Sequence, residues 1–198
     1  MSDLSASIRA CRLCAERFAQ TETAHTPRPV FRGAPSARLM IAGQAPGARV
    51  HDSGLPFTDP SGDRLRDWLG LENEAFCDAR RVAILPMAFC FPGYRKGADL
   101  PPPPVCARTW RAPLLAQFPN IALTLAVGGY AQKYHIPGAG GVTETVKRWR
   151  DHLPQVIPLP HPSWRNTAWL KKNPWFEAEL LPVLRARVAE VMHDDDPD

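Results

Sequence analysis

The segment LMIAGQAPG, residues 39–47, decides the fold because an apolar run ends abruptly in a loop of glycine, glutamine, alanine and proline. Four consecutive apolar residues before such a loop are typical of a strand buried on both faces of a parallel sheet. Ligands of these sheets bind beyond the carboxyl ends of the strands. The loop over residues 43–47 is therefore expected to face a ligand.

Further apolar runs alternate with helical patterns along the chain. Strands are predicted over residues 38–42, 81–87, 121–128 and 155–160. Helices are predicted over 61–70 (capped by Ser61 and ended by Gly70), 105–118, from 129 onward, 143–150 and 174–191, with an irregular segment over 91–104. This order predicts the α/β class, with a three-layer α/β/α architecture around a central four-stranded, mostly parallel sheet. Loops rich in Gly, Pro and His follow three of the strands, at residues 43–57, 86–93 and 160–166, and are expected to converge at one edge of the sheet.

The length and charge of the chain limit its organisation and its partners. A chain of 198 residues is expected to form one domain, residues 1–192, followed by an acidic and disordered tail, residues 193–198. The net charge of +4 permits nucleic-acid binding without demonstrating it. No apolar run approaches the ~20 residues that span a membrane, and no signal peptide is recognisable. We therefore expect a cytoplasmic protein.

Four of the five cysteines are spaced like the ligands of a metal site. Cys11 and Cys14 form a Cys-x-x-Cys pair, and Cys90 and Cys106 follow the second predicted strand, 16 positions apart. In a reducing compartment this pattern favours a four-thiolate site, which can bind either tetrahedral zinc or an iron–sulfur cluster. Unrelated buried thiols are the other interpretation. Cys77 has no partner in the pattern and is interpreted as a packed or surface thiol.

A second loop, PLPHPSWRN at residues 158–166, follows the last predicted strand. His161 lies between two prolines, which fix the backbone, and could donate a hydrogen bond to developing negative charge. Ser163 could bind a phosphate or cap the next turn. Trp164 and Arg165 combine a stacking surface with a cation, as nucleic-acid sites do. The alternatives are a solvated histidine and a tryptophan that packs beneath the last helix.

Together, the loop over 43–47, the sequence GLPF at 54–57, the four cysteines and the sequence HPS at 161–163 resemble the uracil-DNA glycosylase superfamily. The closest resemblance is to its iron–sulfur branch, called family four, and it extends from Cys11 to Asn166. The resemblance implies a [4Fe-4S] cluster, which would be bound by Cys11, Cys14, Cys90 and Cys106.

The resemblance also implies an activity and the roles of individual residues. Such an enzyme flips uracil, or another deaminated base, out of DNA and hydrolyses its bond to deoxyribose during base-excision repair, acting as a monomer. Phe57 would stack on the base, and His161 would donate to a uracil carbonyl oxygen. Contacts to the base and to phosphate would come from Gly43, Gln44, Ala45, Gly47 and Pro86, and contacts to DNA from Ser163, Trp164 and Arg165.

The first motif departs from the family because its loop has no carboxylate. Gln44 replaces the glutamate of the iron–sulfur branch, and Ala45 stands where another branch has an aspartate. We therefore predict that His51 and Asp52 position the attacking water, with Asp59 as a more distant replacement. The alternative is that the sequence HDSG at 51–54 is only a turn.

The second departure is Pro86, which stands where the iron–sulfur branch has an asparagine that reads the uracil edge. Proline has no polar side-chain atom, so selectivity would come from backbone groups at 86–88 or from another side chain. Two other functions remain open at this point. One is a binding or sensing protein that recognises uracil in DNA without turnover or traps it covalently, and the other is a zinc-stabilised nucleotide-binding protein.

Overall fold

A computed structural model of the protein describes residues 2–193. Of the tail predicted over residues 193–198, the first residue, His193, instead ends the last helix, and residues 194–198 lie outside the described residues. The strands are β1 (Leu39–Ala42), β2 (Val82–Ile84), β3 (Tyr94–Arg95), β4 (Ala98–Asp99), β5 (Leu123–Val127) and β6 (Val156–Leu159). A four-stranded sheet has the order β2-β1-β5-β6, and all its neighbours pair in parallel. The predicted central sheet is confirmed.

The helices cover both faces of this sheet. They are α1 (Ser2–Arg9), α2 (Ala15–Ala19), α3 (Ala48–Ser53), α4 (Pro60–Leu69), α5 (Asn73–Cys77), α6 (Pro104–Cys106), α7 (Ala112–Leu115), α8 (Gly129–His135), α9 (Val142–Lys147), α10 (Thr167–Lys172) and α11 (Leu181–His193). A π-helical turn, Ala107–Arg111, joins α6 to α7, and another, Phe176–Leu180, precedes α11. No helix within residues 2–193 is both long enough and apolar enough to cross a bilayer.

The two faces of β1 show how the layers are built. Leu39 and Ile41 pack with α4 and α11 in one apolar core, whereas Met40 packs with α1 and α7 in a second core. Successive side chains of a strand point to opposite faces, so an all-apolar strand requires helices on both sides. The structure therefore has the three-layer α/β/α architecture that the sequence predicts.

The structure corrects several local predictions. Helix α4 begins at Pro60 rather than after Ser61, with Asp59 at the N-cap position, and it ends as predicted at Gly70, whose φ is 65°. The irregular segment over 91–104 contains the β3–β4 hairpin, which turns at Lys96 (φ 52°) and Gly97 (φ 73°). Positive φ at both turn residues is typical of a type I′ hairpin, but strands of two residues are too short to show alternation. Helix α3 lies within the predicted loop over 43–57.

Candidate active site

An open cavity of about 540 Å³ lies at the carboxyl ends of the parallel strands. It is lined by the loop after β1, by Pro86 after β2, by residues 161 and 163–166 after β6, and by the start of α4. The three loops predicted to converge therefore meet at one edge of the sheet. We call this space the sheet-end cavity.

The loop after β1 is held against the segment that follows β2. The carbonyl oxygen of Gly43 accepts a hydrogen bond from the Met87 backbone N–H at 2.9 Å, and the carbonyl of Gln44 accepts one from Ala88 at 3.0 Å. Gly43, Gln44, Ala45 and Gly47 all line the cavity, as predicted from the motif. The loop is thus one fixed wall beside Pro86.

Arg111 supports the Pro86 wall from behind. Its side chain is 1% exposed, and it donates hydrogen bonds to the carbonyl oxygens of Leu85 and Pro86 and to Nε2 of His135. Burial, followed by the charge of Arg111, lowers the pKa of His135 to about 3, so this imidazole is neutral at pH 7. The Pro86 carbonyl is therefore oriented towards Arg111 in the interior.

Phe57 forms another wall and has a strained backbone, with φ at 56°. Its carbonyl oxygen accepts a hydrogen bond from Arg66 at 3.2 Å, and its ring packs edge-on against Phe76 with 5.9 Å between centroids. A Cβ atom on Gly62 would lie 2.0 Å from the Phe57 carbonyl oxygen, so only glycine allows this close approach. The aromatic ring is therefore in place before any ligand binds.

His161 is half-buried, and its tautomer is set by a backbone hydrogen bond. Its Nδ1 accepts from the Ser163 backbone N–H at 3.2 Å, so in the neutral ring the hydrogen is on Nε2. Burial lowers the pKa of His161, and the carboxylates of Asp59 and then Asp99 oppose this shift. The result is a neutral imidazole whose Nε2–H is the available donor at the sheet-end cavity.

The residues after His161 form an exposed edge of the cavity. The Ser163 hydroxyl accepts a hydrogen bond from the Arg165 backbone N–H at 3.2 Å. The Ser163 backbone carbonyl accepts one from the Arg64 guanidinium at 2.9 Å. Trp164 is 71% exposed, and the guanidinium of Arg165 lies 5.9 Å from its ring centroid. This exposure excludes the alternative in which Trp164 packs beneath the last helix.

His51 and Asp52, which we predicted to position water, do not line the sheet-end cavity. They lie on α3, where Arg28 donates to both of their carbonyl oxygens at 2.7 and 2.6 Å. The His51 ring packs edge-on against His25 at 4.9 Å. Burial and then the charge of His25 lower the pKa of His51. The structure does not bring this pair to the other predicted site residues.

Asp59 and Asp99 are the only carboxylates among the described residues that line the cavity. The sequence named Asp59, which follows Phe57 by two residues, as a more distant replacement for the missing carboxylate. It did not single out the other cavity-lining residues Asp99, Arg49, Tyr94 and Asn166. Asp99 and Tyr94 reach the cavity through the β3–β4 hairpin, which the residue pattern did not reveal.

The four predicted metal-binding cysteines line a second, small cavity, which we call the cysteine cavity. Its other lining residues are mostly apolar and include Ile8, Phe89 and Trp110; the thiols are Cys11, Cys14, Cys90 and Cys106. Burial and neighbouring thiols raise the pKa of Cys90 to about 12, and burial raises that of Cys106 to about 11. In residues 2–193 no group of three or more His, Cys, Asp or Glu side chains could hold a metal ion as arranged. Cys77 is exposed, as its interpretation as a surface thiol requires.

A sequence profile of the Uracil DNA glycosylase superfamily matches residues 30–185 of the chain, which is well over half of its 198 residues. The matched range contains every loop of the sheet-end cavity, together with Cys90 and Cys106. Cys11 and Cys14 precede it.

Proposed function

The chain belongs to the uracil-DNA glycosylase superfamily, and from that premise we propose that it excises uracil, or another deaminated base, from DNA. The observation that carries this proposal is the neutral His161, whose Nε2–H is available at a cavity that Phe57 also lines. Stacking on an aromatic ring and hydrogen bonding to a carbonyl oxygen are how flipped bases are held.

In the proposed reaction, the base enters the sheet-end cavity and stacks on Phe57. When the N-glycosidic bond breaks, its electrons move onto the base, and the negative charge is shared by the carbonyl oxygens. His161 donates its Nε2–H to one of these oxygens, and a neutral donor does this without the cost of a buried charge. Removing a donor of this kind typically slows a reaction by about 10²–10³-fold.

Binding of the DNA itself is assigned to the exposed edge beside His161. Trp164 is exposed and could fill the gap that a flipped base leaves in the stack, where an inserted side chain is worth about 1–3 kcal/mol. Arg165 and Arg49 would neutralise phosphates, in keeping with the net charge of +4. Ser163 would bind a flanking phosphate. We propose that one monomer binds one lesion.

Base selectivity cannot come from the side chain of Pro86, which has no polar atom. The Pro86 backbone carbonyl already accepts a hydrogen bond from Arg111. Among the remaining lining residues, Gln44 carries both an amide donor and an amide acceptor, which match the imide edge of uracil. We therefore propose that Gln44 takes part in reading the base.

We also propose that Cys11, Cys14, Cys90 and Cys106 bind a [4Fe-4S] cluster, because these four thiols, none of which forms a disulfide, line one cavity. A tetrahedral zinc ion needs thiolates about 2.3 Å from a single point, whereas a four-iron cluster is bound by thiolates that lie farther apart. The absence of a single-ion site in residues 2–193 is therefore compatible with a cluster. Such a cluster would join the N-terminal segment to the segments after β2 and at α6.

The cluster is tested by anaerobic purification followed by measurement of iron, acid-labile sulfide and the visible spectrum. We expect about four irons per chain and a brown protein. Cys90→Ser should lose most of the iron, whereas Cys77→Ser, which changes an exposed thiol outside the cavity, should keep it. A colourless protein with one zinc per chain would exclude the cluster.

The activity is tested with single- and double-stranded oligonucleotides that contain uracil, hypoxanthine or xanthine. The wild-type protein should leave base-free sites in at least one of these substrates. The proposal fails if every substrate stays intact.

One alternative function is supported by the absence of a carboxylate from the 43–47 loop. It is a sensing protein that binds uracil-DNA without turnover or traps it covalently. Multiple turnovers per protein molecule would exclude that alternative.

A further inference from the structure

Hydrolysis of a glycosidic bond is accelerated by a group that holds the attacking water, and the 43–47 loop offers no carboxylate for this purpose. His51 and Asp52 lie away from the sheet-end cavity. The acidic residues that do line it, within the described chain, are Asp59 and Asp99. The two differ in their structural setting, and this difference decides between them.

Asp59 occupies the N-cap position of α4, directly before Pro60. Aspartate is favoured at this position because its carboxylate usually accepts hydrogen bonds from the first backbone N–H groups of the helix. The Asp59 side chain makes no such bond, and in the part of the chain that the structure describes it makes no other hydrogen bond or ion pair. Its carboxylate is therefore available to a water or ligand in the cavity.

The backbone around Asp59 is also fixed. At one end of this turn, Phe57 has a strained backbone with a positive φ. At the other end, Gly62 packs directly against the Phe57 carbonyl oxygen. The same turn thus sets the position of the stacking ring and of the carboxylate. Asp99, in contrast, is an exposed residue of the two-residue strand β4.

The influence of the two carboxylates on the pKa of His161 also favours Asp59 over Asp99. Both carboxylates raise the pKa of His161 against the effect of burial, and Asp59 has the larger influence. Asp59 is therefore placed with His161 and Phe57 around one volume.

We propose that Asp59 is the catalytic carboxylate of this site and that it replaces the acidic residue missing from the 43–47 loop. This inference rests on the proposed glycosylase function. Asp59 accepts a hydrogen bond from a water molecule and directs its oxygen towards C1′ of the flipped nucleotide.

The chemistry balances without any further reactant. The bond between C1′ and the base nitrogen breaks, and its electron pair leaves with the base while His161 binds the base oxygen. The water oxygen forms the new bond to C1′, and its proton passes to the Asp59 carboxylate. From there the proton goes to the base anion or to solvent, which restores the carboxylate.

The test compares Asp59→Asn with the wild-type protein on a uracil-containing single-stranded oligonucleotide. Loss of a positioned base is expected to slow single-turnover excision by about 100-fold or more. The Kd for the same DNA carrying 2′-fluoro-deoxyuridine, which resists cleavage, should change by less than about two-fold. A purely structural role would weaken binding and excision together. Because asparagine is also a good N-cap residue, we expect Asp59→Asn to fold, and Asp59→Ser provides a second variant at the same position.

Asp67→Asn is the matched control, since it makes the same change on the same helix at a carboxylate that is 78% exposed and outside the cavity. It should keep the wild-type rate. If the wild-type protein excises uracil and Asp59→Asn keeps its rate within two-fold, or if Asp99→Asn alone abolishes excision, this inference is overturned while the proposed function stands. If the wild-type protein excises no base, the proposed function itself fails.

Discussion

Two short segments follow β1, and they differ in whether their ring and acidic side chains line the sheet-end cavity. Helix α3 carries His51 and Asp52, whereas residues 57–62 carry a stacking ring, a carboxylate and the start of α4. Both segments combine an acid with an aromatic or imidazole ring. Only residues 57–62 present both groups to the cavity, although α3 is closer in sequence to the glycine-rich loop.

The difference arises from the local backbone. Residues 48–53 form a short helix, and Arg28 donates hydrogen bonds to the backbone carbonyl oxygens of His51 and Asp52. In this arrangement the His51 ring faces His25 instead of the cavity. In residues 57–62 the chain adopts a positive φ at Phe57, which turns the ring and the following aspartate inward. A strained backbone is commonly found where function requires a fixed geometry.

The largest effect on the rate is expected from a variant that tests whether the reaction takes place in the sheet-end cavity at all. His161→Ala removes the neutral donor, and we expect single-turnover excision of uracil to slow by about 100- to 1000-fold. His193→Ala, which removes the exposed last residue of α11, is the control and should keep the wild-type rate. A loss of less than 10-fold in His161→Ala would show that the cavity is not the reaction site.

The second test alters residues 57–62 without removing a functional side chain. In Gly62→Ala the new Cβ would meet the Phe57 carbonyl oxygen at 2.0 Å, so the turn must open. We expect excision to slow by about 10- to 100-fold because the ring and carboxylate move, and we expect Tm to fall by about 5 °C.

Gly54→Ala is the counterpart at the end of α3, where φ is 73° and the new atom would meet the Arg28 guanidinium. It should cost about 1 kcal/mol of stability but leave the rate close to that of the wild type. If Gly54→Ala slows excision as much as Gly62→Ala does, the two segments are functionally equivalent and the comparison is wrong.

The sequence predicted the layers, the strand order along the chain and the three converging loops, because these follow from apolar runs and from Gly/Pro motifs. It also identified Phe57 and His161, whose motifs are local. It could not reveal the direction of His51, Asp52 or Asp59. Side-chain direction depends here on one positive φ and on a hydrogen bond from Arg28, 23 residues away from His51, and neither leaves a pattern in the sequence.

A smaller effect is expected in the pH dependence of stability, where α3 differs from residues 57–62 by containing a histidine. Burial and then His25 lower the pKa of His51 below its ordinary value of 6.5, against the opposing charge of Asp52. Below about pH 6.5 the unfolded chain therefore binds more protons than the folded one, and folding stability falls as the pH falls. Tm should decrease more between pH 7 and pH 5 in the wild type than in His51→Gln. Parallel Tm curves would contradict the burial of this ring.

The smallest effect is expected for the α3 residues in catalysis. Because His51 and Asp52 lie outside the sheet-end cavity, His51→Gln and Asp52→Asn should each change the single-turnover rate by no more than about two-fold at pH 7. The double variant separates two explanations, since a shared water held by both groups would show a large loss only when both are replaced. A loss of 10-fold or more in either single variant, with unchanged Tm, would mean that α3 turns towards the cavity once DNA is bound. In that case the distinction between the two segments applies only to the free protein.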